Sequence, residues 1–226
     1  ALPICYIYLT LPDVRPLAKD NPKTTAFMEL RKDEARRDGR DGFTIRQQWL
    51  PYRQISPFLR RAVIVTEDAA FFDHDGVDLN EIRASLERNW EEGQFLRGGS
   101  TITQQLAKNL FYTTKKSLIR KGREAIVATW MERTLTKQRI IEIYLNVIEW
   151  GDGIYGIEAA SRAYFGQPAS SLGSAEADLL AGAIINPRVL SPSRPTPRLL
   201  RRQQMILKRM GAVTPPADGS GDSSSN

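Results

Sequence analysis

Glu67 and Asp68 follow the apolar run Ala62-Val-Ile-Val65 and open the segment Glu67-Asp-Ala-Ala-Phe-Phe-Asp-His-Asp-Gly76. A carboxylate set against apolar packing has a raised pKa, which suits a general base or acid. A Glu-Asp pair at a helix end can equally be solvated there, so the pair alone leaves both roles open. Phe71 and His74 lie one helical turn apart, and His74 is the only histidine in the chain. A lone histidine is more often a hydrogen-bonded structural group than a catalyst, and His74 is read that way.

A second segment, Arg97-Gly-Gly-Ser-Thr-Ile-Thr-Gln-Gln-Leu-Ala-Lys-Asn109, runs from a glycine pair into a helix start bearing Ser100, Thr101 and Thr103. Free N–H groups, hydroxyls and the helix dipole suit such a place to oxyanions or polar hydroxyl groups. Thr101, Gln105 and Lys108 fall at i, i+4 and i+7, on one helix face beside the stripe Ile102, Leu106, Leu110. The phosphate-loop pattern G-x-x-x-x-G-K-[ST] is absent. In the third segment, Lys115-Lys-Ser-Leu-Ile-Arg-Lys-Gly-Arg-Glu124, the cations Lys116, Arg120 and Arg123 are spaced four and three apart. Three cations with Glu124 suit a pyrophosphate, with or without a divalent metal that Glu124 could help hold. The plainer alternative is a solvated helix with Arg120–Glu124 as an i, i+4 pair, worth about 0.2–0.5 kcal/mol.

These side chains need elements to position them. The chain has 226 residues, 41% hydrophobic and 26% charged, which is ample for a buried core and excludes a disordered or fibrous protein. One cysteine, Cys5, excludes an intramolecular disulfide and a cysteine-based metal cluster, and one histidine excludes a multi-histidine site. The formal charge of +6 is unevenly spread: residues 108–139 and 187–211 each carry a net +7, and the remainder is −8. Two such basic segments favour an anionic partner.

Residues 1–12, ALPICYIYLTLP, are apolar and uncharged but fewer than the roughly 20 a membrane span needs. They read either as a buried strand or as the trailing end of a transmembrane helix. Residues 13–42 read as a linker with loops and a short helix. Phe43, Ile45, Gln47 and Trp49 alternate with polar neighbours, the pattern of a strand. Ser56-Pro57 opens a helix, Asp78 and Glu81 start another that stops at Gly93, and Ile102, Leu106 and Leu110 mark a third. Helices are predicted over 117–134 and 136–149, from Ser174 through Ile184, and from Thr196-Pro197 to Gly211. The tail from residue 212 is low-complexity and reads as disordered. The fold class is mainly α, without repeats.

The order EDxxFxxHxG, GGSTITQQLAKN, RKxxE, then Lys137-Gln-Arg-Ile-Ile-Glu-Ile-Tyr-Leu-Asn146 resembles the peptidoglycan glycosyltransferase family. That family is shared by monofunctional biosynthetic enzymes and the N-terminal domain of bifunctional penicillin-binding proteins. Tyr164-Phe-Gly166, Leu172–Gly182 and Asn186-Pro187 fit too, and the resemblance covers roughly residues 11–211. It implies a lysozyme-like helical main lobe with a smaller, flexible membrane-proximal lobe. It also tips residues 1–12 toward the end of a single transmembrane helix, with residues 13–211 as the catalytic domain outside the cytoplasmic membrane.

The resemblance further implies polymerisation of lipid II into β-1,4-linked strands with inversion and release of undecaprenyl pyrophosphate. Glu67 would be the general base that takes the acceptor 4-hydroxyl proton. Glu124 would support catalysis near the donor pyrophosphate, with a divalent cation (Mg or Mn) admissible but not required by the sequence. Lys108, Lys116 and Arg123 would hold the pyrophosphate; position 116 is Lys where some relatives carry Arg, which keeps the charge and loses the bidentate fork. Thr101 and Gln105 would contact substrate, Asp68, Phe71 and His74 would complete and order the site, and Ser100, Asn109 and Arg120 join the substrate-binding set. Expected partners are lipid II, the growing strand, membrane lipids and proteins of wall synthesis or division, but no nucleic acid. Moenomycin-type inhibitors target the family. The rival is a lysozyme-like hydrolase or lytic transglycosylase, which would use one acid such as Glu67 and would not need the cations.

Overall fold

A computed structural model describes residues 10–92, 99–113 and 117–211. Most of the apolar N-terminal stretch, Arg97, Gly98, Lys116 and the tail from 212 lie outside the described residues. The structure is mainly helical, as the sequence predicts.

The charged stretch near the N-terminus is better ordered than its composition implies. After a 3-10 turn at Arg15–Ala18, it forms the twelve-residue helix α1 (Ala26–Arg37). The Thr25 hydroxyl caps it by accepting from the Met28 N–H at 3.1 Å. Three i, i+3 pairs, Arg31–Glu34, Lys32–Glu29 and Arg36–Asp33, line its outer faces. Met28 and Ala35 are buried beneath it.

The predicted strand over 43–49 is present mainly as a pattern. Burial alternates along it as the residue types dictate, but only Arg46–Gln47 forms a ladder, β1. Its partner β3 (Ile154–Tyr155) is itself two residues long and can pair no more. β1 runs parallel to β3, β3 antiparallel to β2 (Glu149–Gly151), and the order is β1-β3-β2.

Helix α2 (Pro57–Glu67) has Pro57 at its first position, as predicted. Ser56 precedes it without capping it: the hydroxyl donates to the Leu172 carbonyl at 2.7 Å. Its buried run, Leu59, Ala62, Val63, Ile64 and Val65, pins the end that carries Glu67. Helix α3 (Leu79–Glu92) starts with Asp78 accepting from the Glu81 N–H at 2.9 Å. Then come α4 (Ile102–Phe111), α5 (Leu118–Thr134) and α6 (Lys137–Val147). The last of these ends before the predicted residue 149 because β2 takes over at Glu149. Helices α7 (Ile157–Phe165), α8 (Ser174–Ala183) and α9 (Pro197–Met210) complete the chain.

Helix α6 is the axis of the core: Ile140, Ile141, Ile143, Tyr144, Leu145, Asn146 and Val147 are all fully buried. α4 and α5 pack beside it, and α8 with α9 backs α2. Among the described residues no helix is long and apolar enough to cross a membrane.

Candidate active site

The C-terminal end of α2 delivers Glu67 to a cleft of about 560 Å³. Ser100, Thr101 and Gln105 line the cleft from the start of α4, and Arg202, Met205 and Arg209 from α9. Glu67 keeps a half-buried face toward the cleft and is otherwise enclosed by protein. Its Oε2 accepts from Gln105 Nε2 at 3.0 Å. Burial pushes its pKa above the usual carboxylate range, against the pull of the Gln105 hydrogen bond, Arg202 and Lys108. A carboxylate of this kind is a stronger base than a solvated one, and the nearby cations favour its ionised form without cancelling the effect of burial.

Behind Glu67 the EDxxFxxHxG segment folds into a rigid frame. Asp68 is buried and accepts from the Ile102 N–H at 2.9 Å, tying the end of α2 to the start of α4. The Gly76 N–H donates to His74 Nδ1 at 3.1 Å, so the proton of the neutral ring sits on Nε2 and is given to Asp68 at 3.0 Å. Burial raises the Asp68 pKa, opposed first by the hydrogen bond from His74. Phe71 is fully buried, and Lys137 Nζ lies 4.5 Å from its ring centre. Lys137 also donates to the His74 carbonyl at 2.6 Å and pairs with Glu132 at 2.9 Å. Both ring nitrogens of His74 are engaged within the protein, by Asp68 and by the Gly76 N–H. Phe71 and His74, expected to complete and order the site, stand in the wall behind the cleft and do not line it.

Thr101 caps α4 and has its hydroxyl committed twice: it accepts from the Gln104 N–H at 3.1 Å and donates to the Gly76 carbonyl at 2.6 Å. As the cap it precedes the helix, so the face shared by Thr101, Gln105 and Lys108 begins one residue before the first turn. Asn109 Nδ2 donates back to the Gln105 carbonyl at 2.8 Å.

The cations are arranged differently from their spacing. Lys108 lines a second cavity of about 270 Å³, with Asn109, Tyr144, Glu149 and Arg188. Gln105 lines both cavities, so Glu67 and Lys108 face the two sides of one side chain. Burial lowers the Lys108 pKa, and Glu124 and Glu67 oppose the shift. Glu124 is fully buried and is held by Arg120 in the plain i, i+4 ion pair. Lys121 Nζ lies 3.9 Å from Glu124 and contacts the Ser100 hydroxyl. Arg123 does not join this group: it donates to the Thr10 hydroxyl at 2.8 Å and to its carbonyl at 2.5 Å. It sits roughly 100° around the helix from Glu124, one residue's rotation, and so faces the N-terminal segment. Lys116 lies outside the described residues.

Four functional candidates escaped the sequence. Lys121 lies inside the RKxxE motif but reads as one more solvated lysine. Tyr144 reads as a core position on the apolar face of α6. Arg202 and Arg209 read as part of a basic surface, yet both line the cleft of Glu67. Only the packing of α9 against α2 and α8 reveals this, and no spacing within α9 reports it.

A shielded carboxylate with cations close by is an arrangement that suits group transfer with an anionic leaving group. A family model described as Transglycosylase matches residues 38–211, and the chain belongs to this family. Proteins described as biosynthetic peptidoglycan transglycosylase are similar over most of the length. The one from Dechloromonas aromatica is 47% identical over 196 residues, covering 87% of this chain and 84% of that protein. The one from Aromatoleum aromaticum is 48% identical over 196 residues, with the same coverage of both chains. The one from Nitrosospira multiformis is 45% identical, covering 87% of this chain and 85% of its own.

Proposed function

We propose that this chain polymerises lipid II into β-1,4-linked glycan strands with inversion, releasing undecaprenyl pyrophosphate on the outer side of the cytoplasmic membrane. The observation that carries the proposal is the placement of Glu67 and Lys108 on opposite sides of Gln105. Glu67 takes the proton of the acceptor 4-hydroxyl as that oxygen attacks the donor's anomeric carbon. Lys108 and Lys121 neutralise the departing pyrophosphate, which is a good leaving group once its charge is met, with Arg120 held beside them by Glu124. No carboxylic acid is then needed to protonate a sugar oxygen, unlike a hydrolytic glycosidase. Glu124 orders the cations. Its carboxylate is taken by Arg120, and among the described residues no group of three His, Cys, Asp or Glu could hold a metal. No step is assigned to a divalent ion.

Membrane attachment is part of the proposal. Helix α9 is basic and exposes Leu200, Met205 and Leu207 beside Arg198 and Arg201. The start of α5 exposes Leu118 and Ile119. Mixed basic and apolar faces of this kind lie on anionic membranes. Residues 1–12 are assigned to the end of a membrane anchor by the family resemblance, since their composition alone fits a buried strand equally well.

The test is polymerisation of purified lipid II. Glu67→Gln should fold and bind substrate, with turnover reduced by about 10²–10⁴-fold, the usual loss for a general base. Near-normal polymerisation by the variant overturns the assignment of the base. Release of fragments from preformed peptidoglycan, with no polymer from lipid II, would favour the hydrolase instead.

A further inference from the structure

Tyr144 is fully buried in α6, and the proposed chemistry gives it no task. Its hydroxyl donates to Gln105 Oε1 at 2.9 Å, and Gln105 Nε2 donates onward to Glu67 Oε2 at 3.0 Å. The two ends of a carboxamide have the same shape and opposite hydrogen-bonding sense. Reversed, the Gln105 carbonyl would meet the Glu67 carboxylate, two acceptors with no proton between them. The NH₂ group could then donate to the phenolic oxygen, but the phenolic proton, which now goes to Gln105 Oε1, would be left without that acceptor. A buried donor left unsatisfied costs free energy, so Tyr144 favours the orientation that offers its proton the amide oxygen.

We propose that Tyr144 is a positioning residue for glycosyl transfer: through the Gln105 amide it keeps a donor, and not an acceptor, against the Glu67 carboxylate. This rests on Glu67 being the base. Gln105 engages Oε2, which leaves Oε1 to take the proton of the attacking hydroxyl. The groups that face Glu67 come from four elements: Gln105 and Lys108 on α4, Arg202 on α9, Asp68 at the end of α2, and Tyr144 on α6. Lys108 and Arg202 favour the ionised carboxylate, and Asp68 opposes it. Gln105 adds a donor whose sign depends on which way the amide points, and Tyr144 is the neighbour that sets it.

Tyr144→Phe removes one oxygen and keeps the ring that fills the core. The expected result is a protein that melts close to the parent, with kcat for lipid II at neutral pH reduced by about tenfold, the scale of one lost hydrogen bond. KM should stay within about twofold, and the acid limb of the kcat/KM profile should move to higher pH, because Glu67 has lost its fixed donor. Gln105→Met, which leaves Tyr144 in place, should shift the limb at least as far. In that background Tyr144→Phe should shift it no further. A parental pH profile in Tyr144→Phe overturns the proposal, as does an equal shift in the presence and absence of Gln105. If Tyr144→Phe melts far below the parent, the Gln105→Met profile decides, and an unmoved limb there overturns the proposal as well. The two assignments fail separately: an active Glu67→Gln defeats the base, whereas an inactive Glu67→Gln with an unmoved Tyr144→Phe limb defeats the positioning alone.

Discussion

At the scale of single residues, partners matter more than spacing. Glu67 was legible in the sequence as a candidate only through the motifs around it, because an acid after four apolar residues can equally be a solvated helix end. The cations were legible as a group and not individually. Lys116, Arg120 and Arg123 share a face on a helical wheel, but Arg123 is taken by Thr10 and Arg120 by Glu124. Lys121 reaches Ser100 at the mouth of the cleft instead. Burial lowers the Lys121 pKa, with Glu124 opposing, so it is a cation in a partly dry place where a pyrophosphate would repair its desolvation. Lys121→Ala should therefore raise the KM for lipid II by about tenfold, in the range of a lost charge-assisted hydrogen bond. Arg123→Ala should change it by less. Initial rates across a lipid II titration rank the two, and the reverse order would place the pyrophosphate nearer Arg123.

At the scale of elements, boundaries were legible wherever a cap or a proline marks them. Pro57, Thr136, Thr196 and Asp78 each sit where a helix begins. α1 was underestimated because its residues are charged, and its stability comes from the Thr25 cap, i, i+3 pairs and a long-range bond from Arg31 to Glu149 that no local pattern reveals. The junction between α2 and α4 shows why the EDxxFxxHxG segment ends in glycine. Gly76 has φ of +89°, and a Cβ there would lie 2.9 Å from the Ala128 backbone in α5. From this position its N–H orients His74 and its carbonyl receives Thr101. Gly76→Ala combines a left-handed backbone with a clash that only helix movement relieves. It should destabilise the fold by about 2 kcal/mol or more, read as a lower melting temperature. It should also weaken catalysis without altering any group that meets substrate, since Asp68 and Thr101 would lose their register with α4. A melting temperature equal to the parent's would show that the α5 backbone yields freely at this point.

At the scale of the molecule, the two basic segments have different destinations, which a linear charge count cannot separate. Cations of the first, Lys108, Arg120 and Lys121, converge on Glu124, Ser100 and the cavities either side of Gln105. The second divides along α9. Leu199, Ile206 and Met210 anchor the helix in the core. Arg202 and Arg209 turn into the cleft. Arg198 and Arg201 stay exposed, with Leu200 and Met205 between and beside them. An anionic membrane surface attracts each nearby cation by about 1 kcal/mol, and reversing two charges should weaken binding to phosphatidylglycerol vesicles by well over tenfold. The double variant Arg198→Glu, Arg201→Glu should show that loss in vesicle sedimentation while polymerising detergent-solubilised lipid II at the parental rate, because neither side chain lines the cleft. Arg202→Ala should do the opposite, keeping vesicle binding and losing turnover, since its charge favours the ionised form of Glu67. Unchanged sedimentation of the double variant would move the membrane contact away from α9, leaving Leu118 and Ile119 at the start of α5 as the surface to alter next.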